Sequence, residues 1–263
     1  MQVIGCQLDI AWENKTANFA QVRRQVRRVA VERPALIVLP EMFATGFSMD
    51  VEKIAEGESG STGQFLSEIA SETGSYIVGG LVGRNARGQG LNQASLVGPK
   101  GQEITRYTKL HPFTYGGETR SYVAGTELTI VDVEEFRVAV FICYDLRFPE
   151  IFREAVRRGA NVFVVIANWP QERDAHWQTL LEARAIENEA YVVGVNRTGS
   201  DPRLNYAGRS LIIDPRGQRL ADAGNHSGPI AAKLDLPRLL EYRRTFPALD
   251  DMRAEFFVPF KGA

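Results

Sequence analysis

Cysteine and histidine are both scarce in this chain of 263 residues, which has two cysteines and three histidines. Two cysteines, Cys6 and Cys143, cannot build a disulfide framework, and the sequence has no Cys-x-x-Cys pair or His/Cys cluster for a structural metal. We therefore expect no metal site. Free thiols are typical of a reducing compartment, so the sequence predicts a cytoplasmic protein.

Long hydrophobic runs and excess charge are missing too. The longest apolar run, residues 160–167, is interrupted by Asn161 and falls far short of the roughly 18 residues that a membrane span needs. The N-terminus has no basic segment or cleavage pattern of a signal peptide. The 31 Lys and Arg nearly balance the 32 Asp and Glu, for a net charge of −1. We therefore expect neither a membrane nor a nucleic-acid partner.

The composition that remains, 44% hydrophobic and 24% charged residues, is that of an ordinary globular protein. A chain of this length can bury about 75% of its unfolded surface. We find no linker, low-complexity tract or shift in composition along it. The sequence therefore predicts a single domain over residues 1–263.

Short β-rich apolar runs alternate with helical patterns, which indicates an α/β protein. The predicted strands are 3–8, 36–39, 76–82, 93–97, 103–107, 137–143, 162–167 and 191–196. The predicted helices are 18–31, 64–72, 149–158, 175–190 and 236–245. Hairpin turns at 98–101 and 213–217 close the two halves in the same way, which suggests two β-rich halves with pseudo-symmetry.

Three polar residues, Glu41, Lys109 and Cys143, stand at or just beyond the ends of predicted strands. Ligands in α/β sheets bind beyond the carboxyl ends of strands, so these side chains can converge on one pocket. Taken singly, they are explained equally well as a turn residue, a solvated lysine and a small buried hydrophobe. Together they form a chemically complete set, because a thiol nucleophile needs a base and its oxyanion needs a donor.

Three segments that contain these residues, 39–43, 107–113 and 142–150, resemble the signature segments of the nitrilase superfamily of carbon–nitrogen hydrolases. Residues 167–170, 176–188 and 196–201 are most similar to the bacterial omega-amidase, or 2-oxoglutaramate amidase, branch. The resemblance implies a four-layer α-β-β-α sandwich that forms a homodimer. It also implies a catalytic triad of Glu41, Lys109 and Cys143, with Glu118 as a second glutamate in the pocket.

The chemistry that the resemblance implies is amide hydrolysis through a cysteine thioester, with no organic cofactor. Glu41 would serve as the base, and Lys109 and the backbone N–H of Tyr144 would hold the oxyanion. A carboxylate is a poor base for a thiol unless its surroundings raise its basicity, so we expect Glu41 to be buried or beside Glu118.

The expected substrate is a small amide that carries a carboxylate at its far end. Arg147 and Arg197 are candidates to bind that carboxylate, and the segment around Trp169 favours the same class of substrate. Arg147 could equally be an ion-pair partner of Asp145 or Glu150.

Other functions remain open from the sequence. Cys143 could pair with His111 or His176 as in a thiol peptidase, or the fold could serve as a binding module without turnover. Alkylation of Cys143 at a rate that tracks a low thiol pKa would count against the binding module. Within the superfamily, nitrilases, carbamoylases and deaminated-glutathione amidases share the triad.

The resemblance implies a two-fold dimer with helices such as 175–190 at the interface, and the apolar segment 256–260 leaves a surface that must be covered. In that helix we interpret Arg184 and Glu187 as a structural pair rather than as catalysts.

Overall fold

The computed structural model describes residues 1–57 and 59–256, which form fourteen strands and six α-helices. The strands are β1 (Gln2–Gln7), β2 (Ala35–Val38), β3 (Tyr76–Arg84), β4 (Gly90–Val97), β5 (Glu103–Thr108), β6 (Ile130–Val133), β7 (Phe136–Ile142), β8 (Val162–Ala167), β9 (Tyr191–Asn196), β10 (Thr198–Ser200), β11 (Asn205–Ala207), β12 (Leu211–Ile213), β13 (Arg219–Asp222) and β14 (Gly228–Lys233). The α-helices are α1 (Lys15–Val26), α2 (Val51–Ile54), α3 (Ser61–Thr73), α4 (Pro149–Arg157), α5 (Asp174–Asn188) and α6 (Leu236–Thr245). Within the described ranges, no helix is long and apolar enough to cross a membrane.

Two six-stranded mixed sheets form the centre of the molecule. The first has the strand order β14-β1-β2-β3-β4-β5, and the second has the order β13-β12-β9-β8-β7-β6. Each sheet has three parallel strands at its centre, β1-β2-β3 in one and β7-β8-β9 in the other, with antiparallel strands at its edges. This correspondence confirms the predicted pseudo-symmetry. The strand β14 crosses from the second half of the chain to pair with β1 in the first sheet.

The layers follow from the alternation of side chains along the central strands. In β2, Leu36 and Val38 belong to the core cluster shared with the second sheet, whereas Ala35 and Ile37 belong to the cluster under α1 and α3. Successive residues of a strand point to opposite faces, so a strand covered on both faces is apolar throughout. With α4 and α5 on the outer face of the second sheet, the order of layers is α-β-β-α, as predicted. The single domain stays a prediction.

The ends of the predicted elements are less accurate than their positions. The strands 162–167 and 191–196 and the helix 236–245 are confirmed with their bounds. The predicted helix 18–31 instead runs from Lys15 to Val26, because the Asn14 side chain accepts the Ala17 N–H and caps it one turn earlier. The predicted apolar segment 256–260 lies, beyond Phe256, outside the described residues.

Glycines flank helix α3, which starts one turn before the predicted helix 64–72. At its N-terminus the carboxylate of Glu56 accepts the Thr62 N–H at 3.0 Å. Gly74 ends the helix in the left-handed conformation.

Candidate active site

The structure brings Glu41, Lys109, Glu118 and Cys143 together between the ends of the two sheets. Glu41 follows β2, Lys109 follows β5 and Cys143 follows β7, while Glu118 begins a short 3-10 helix. All four are buried, and Cys143 retains the largest exposed fraction, 9%. Glu41, Lys109 and Cys143 therefore converge, as expected from their positions at strand ends, and Glu118 joins them from its 3-10 helix.

Lys109 lies between the two glutamates. Its Nζ is 2.9 Å from Oε1 of Glu41 and 2.8 Å from Oε2 of Glu118. Burial alone would lower the pKa of Lys109, but the charges of Glu118 and Glu41 outweigh burial and hold this pKa well above its usual range. Lys109 therefore stays a cation, suited to stabilise an oxyanion, and the expectation that Glu41 is buried beside Glu118 is met.

Two asparagines that sequence reasoning missed fix the position of Glu41. The Asn92 amide donates to Oε1 of Glu41 at 2.7 Å and to Oε1 of Glu118 at 2.8 Å. The backbone N–H of Asn168 donates to Oε2 of Glu41 at 2.8 Å, and its side chain donates to the Glu41 carbonyl at 2.7 Å. Asn92 is a polar residue inside the buried strand β4, an anomaly that could have pointed to it.

The turn at Cys143 is the 3-10 helix Cys143–Arg147, whose first residue has a positive φ of 48°. A non-glycine residue in this conformation costs about 1–3 kcal/mol, so the surroundings must enforce it. Asp145 does so by accepting the Ile142 N–H at 3.0 Å and the Tyr107 hydroxyl at 2.8 Å. Because Tyr107 precedes Lys109 by two residues, one carboxylate ties together the segments that carry the lysine and the thiol.

A second support for this turn comes from α5. Arg184 donates to the Leu146 carbonyl at 2.7 Å and forms an ion pair with Glu187 at 2.9 Å. The prediction that Arg184 and Glu187 form a structural pair is confirmed.

The Cys143 thiol is held in its neutral form. Burial and the charges of Glu41 and Glu118 raise the pKa of Cys143 well above its ordinary value, against the opposing effect of Lys109. The site therefore does not give Cys143 the low thiol pKa that would indicate a reactive cysteine. A nucleophile of this kind needs a base that removes its proton when the substrate is bound.

A cleft with about 400 Å³ of empty space opens above Cys143. The residues predicted to bind substrate that line it are Tyr144, Arg147 and Trp169, and the residues not anticipated are Phe47, Phe113, Asn168, Pro170, Arg173 and Leu204. Tyr144 is the second residue of its helix, so its N–H has no acceptor within that helix. Most of the walls are aromatic or aliphatic, and the cations among them are arginines.

Arg147 faces the cleft rather than a carboxylate. Its Cζ lies 4.8 Å from the centre of the Trp169 ring, and its Nη2 is 3.3 Å from Nδ1 of His176. The carboxylate of Asp145, one of the expected partners of Arg147, instead accepts hydrogen bonds from the Tyr107 hydroxyl and the Ile142 N–H. Among the residues that the structure describes, no carboxylate forms an ion pair with Arg147.

Arg197 does not line the cleft, which corrects the expectation that it could bind the substrate. Its side chain is fully buried and donates to the carbonyls of Thr198, Ile10 and Ser200 at 2.8–3.1 Å. Its Cζ lies 4.4 Å from the centre of the Tyr206 ring. The guanidinium joins the loop after β9 to the chain after β1, a structural role that no local sequence signal revealed.

The two histidines considered as bases are engaged elsewhere. Nδ1 of His111 lies 2.8 Å from Oδ1 of Asp145, and the His111 ring stacks on the Phe148 ring with 3.8 Å between the ring centres. Nδ1 of His176 is 3.3 Å from Nη2 of Arg147. Cys143 has its sulfur 3.9 Å from the Asn168 carbonyl oxygen. For residues 1–57 and 59–256, no three His, Cys, Asp or Glu side chains are grouped as a metal site would require.

Comparison with known proteins agrees with this geometry. The chain is 34% identical to the 2-oxoglutaramate amidase of Bacillus subtilis, over 97% of this chain and 98% of that protein. It is 38% identical to the omega-amidase YafV of Yersinia enterocolitica, over 93% and 94% of the two chains.

A solved structure shares the fold. The carbon–nitrogen hydrolase superfamily protein of Xanthomonas campestris, solved with an arsenic adduct in its active site, superposes with a TM-score of 0.91. Its sequence is 32% identical, and the match covers 97% of each chain. The family model of the carbon–nitrogen hydrolases matches residues 4–244. This chain therefore belongs to the carbon–nitrogen hydrolase family.

Proposed function

We propose that this protein hydrolyses the terminal amide of a small 2-oxo acid amide such as 2-oxoglutaramate and releases ammonia. The observation that carries the proposal is a neutral thiol beside a buried Glu-Lys-Glu set, at the base of a cleft whose charged lining side chains are arginines. Relatives at 34–38% identity over most of the chain are named 2-oxoglutaramate amidase or omega-amidase. These names and the geometry support the same activity.

In the first half of the reaction, Glu41 accepts the proton of the Cys143 thiol and the sulfur attacks the amide carbon. Lys109 and the Tyr144 N–H hold the oxyanion of the tetrahedral intermediate. Loss of one such donor typically costs about 10²–10³ in rate. Glu41 then passes its proton to the amine, the carbon–nitrogen bond breaks and ammonia leaves a thioester on Cys143.

In the second half, water hydrolyses the thioester. Glu41 takes a proton from the water, which attacks the thioester carbon. The carbon–sulfur bond then breaks, Glu41 returns the proton to the sulfur of Cys143, and the carboxylic acid leaves. Lys109 and the Tyr144 N–H serve the second oxyanion in the same way. The contacts of Glu41 with Asn92 and Asn168 keep its carboxylate in place for both steps.

The substrate class can be tested by assaying product release side by side. The panel is 2-oxoglutaramate, 2-oxosuccinamate, deaminated glutathione, glutamine and a simple nitrile. We expect the highest kcat/KM for a 2-oxo acid amide. A higher value for deaminated glutathione would favour that amidase branch, and a higher value for the nitrile would overturn the proposal.

The triad can be tested by substitution. We expect Cys143→Ser and Glu41→Gln to lower kcat by far more than tenfold, measured as ammonia release, while the thermal unfolding midpoint of Cys143→Ser changes little. Retention of more than about a tenth of kcat, a loss under roughly 1.4 kcal/mol, would remove that residue from the mechanism.

Lys109→Ala should also lose activity, and unlike Cys143→Ser it should lose stability. Without Lys109, the carboxylates of Glu41 and Glu118 are buried with no cation between them. Breaking a buried ion pair in this way costs about 3–5 kcal/mol, so this variant should unfold at a lower temperature than Cys143→Ser.

We further propose that the enzyme works as a cytoplasmic homodimer with a small-molecule amide as its substrate. Exposed apolar residues on α5 and α6, including Ile186 and Leu240, support the dimer.

A further inference from the structure

A second arginine, Arg173, lines the cleft together with Arg147 but contacts other aromatic residues. Its Cζ lies 5.9 Å from the centre of the Phe113 ring and 5.5 Å from that of Tyr115. Arg147 is instead placed by Tyr144 and Trp169, at 5.9 and 4.8 Å. The two guanidinium groups are therefore held by separate sets of rings around one cavity.

Both sets are connected to each other, which fixes the spacing of the two cations. The Phe113 and Tyr144 rings are 4.9 Å apart, centre to centre. The indole N–H of Trp169 donates to the Arg173 carbonyl at 2.8 Å, so the residue under Arg147 also holds the backbone of Arg173. Arg173 is a built part of the site rather than a loose surface side chain.

The charge of the two arginines is not cancelled inside the cleft. Among the described residues that line it there is no Asp or Glu. Arg173 has one carboxylate near it, that of Glu172, at 3.9 Å and with a side chain that is 75% exposed. An ion pair so exposed contributes little. The cleft is therefore lined by two arginines whose charge no carboxylate of its described lining neutralises, within walls of low polarity.

A single guanidinium fork is enough to bind a carboxylate, which leaves the second fork free for another acceptor. A carboxylate accepts two parallel hydrogen bonds from one guanidinium. A 2-oxo acid has a further acceptor, the carbonyl oxygen on the carbon next to the carboxylate. An amide that lacks the 2-oxo group has no such acceptor, so the second guanidinium gains no hydrogen bond from it.

We propose that Arg173 recognises the 2-oxo oxygen of the substrate while Arg147 binds the adjacent carboxylate. The pair makes the enzyme selective for amides of 2-oxo acids over amides of simple carboxylic acids. This inference rests on the proposed function and extends it to a specificity residue.

The test compares three amides that differ in one group at a time. These are 2-oxoglutaramate, glutaramate, which lacks the 2-oxo group, and butyramide, which lacks the carboxylate as well. We expect Arg173→Met to lower kcat/KM for 2-oxoglutaramate by about 10- to 100-fold, the range for one hydrogen bond to a charged group. Its effect on glutaramate and butyramide should be small, so the preference for the 2-oxo acid amide disappears.

Matched variants separate this role from others. Arg147→Met should lower kcat/KM for 2-oxoglutaramate and glutaramate alike, because both carry the carboxylate. Arg173→Lys keeps the charge but not the planar fork, so it should recover only part of the preference. Arg87→Met, at an exposed position in the turn between β3 and β4, is the control that should match the unaltered enzyme.

The outcomes distinguish the two proposals. If the unaltered enzyme does not prefer 2-oxoglutaramate to butyramide, the proposed function itself is wrong. If that preference exists but Arg173→Met loses equally on 2-oxoglutaramate and glutaramate, or on neither, then Arg173 does not read the 2-oxo group and this inference alone is overturned.

Discussion

At the scale of single residues, burial and the negative charges of nearby glutamates raise the pKa of the Cys143 thiol. Burial raises the pKa of Cys143, and the charge of Glu41 raises it further, followed by a smaller contribution of Glu118. Replacing either glutamate by glutamine removes a negative charge and leaves Lys109 with less compensation. We therefore expect the pH at which Cys143 is half-maximally alkylated by iodoacetamide to fall in Glu41→Gln, and to fall less in Glu118→Gln.

The measurement is the rate of alkylation between pH 6 and 10, followed by mass spectrometry. Cys6 is an internal control, since it is fully buried and burial raises its pKa to about 12. A midpoint that stays constant or rises in Glu41→Gln would contradict this account of the charges. Glu41→Gln should therefore combine a more acidic Cys143 thiol with a loss of turnover, because Glu41 can no longer accept the thiol proton.

At the scale of elements, the close packing of β3 against the chain after β2 holds Glu41 in position. Gly80 lies against the backbone of Glu41 and Met42, and a Cβ added there would be 2.6 Å from the Cα of Glu41. Backbone atoms cannot move aside as a flexible side chain can. We expect Gly80→Ala to lower stability by about 1–3 kcal/mol, as overpacking does, and to lower kcat by about 100-fold through displacement of Glu41.

Denaturant unfolding and ammonia release measure these two effects. Gly228→Ala is the matched control, because it lies in β14 of the same sheet and an added Cβ there meets nothing within 4 Å. If the two variants behave alike, close packing of β3 is not what positions Glu41.

At the scale of the whole molecule, the proposed homodimer would cover apolar residues that remain exposed on α5 and α6. Ile186 and Leu240 are each 53% exposed, and Arg243 links α6 to the end of α5 by donating to the Glu189 carbonyl at 2.9 Å. We expect sedimentation equilibrium at micromolar concentration to give twice the chain mass of 29.3 kDa. Ile186→Asp with Leu240→Asp should yield monomers, whereas Ile104→Asp, on β5, should not. A monomer in the unaltered protein would refute the dimer.

Most of the architecture followed from local patterns. Apolar runs with turn signals fixed the central strands, since a strand covered on both faces must be apolar throughout. The short strands at the sheet edges were missed, because three or four half-exposed residues, as in β10 and β13, carry no periodic signal. The strand β14 completes the first sheet but was missed because all six of its residues are half-buried or exposed, so it carries no apolar alternation.

The sequence by itself determined which groups meet at the ends of the two sheets, because Glu41, Lys109 and Cys143 each stand at or just beyond the carboxyl end of a strand. Only the tertiary structure decided how their charges combine and which arginine faces the cleft. Arg197 and Arg173 both stand near the ends of elements, yet one is buried among carbonyls and the other lines the cavity. The direction of a long side chain depends on acceptors far away in sequence, such as the Ile10 carbonyl for Arg197, and no local pattern encodes them.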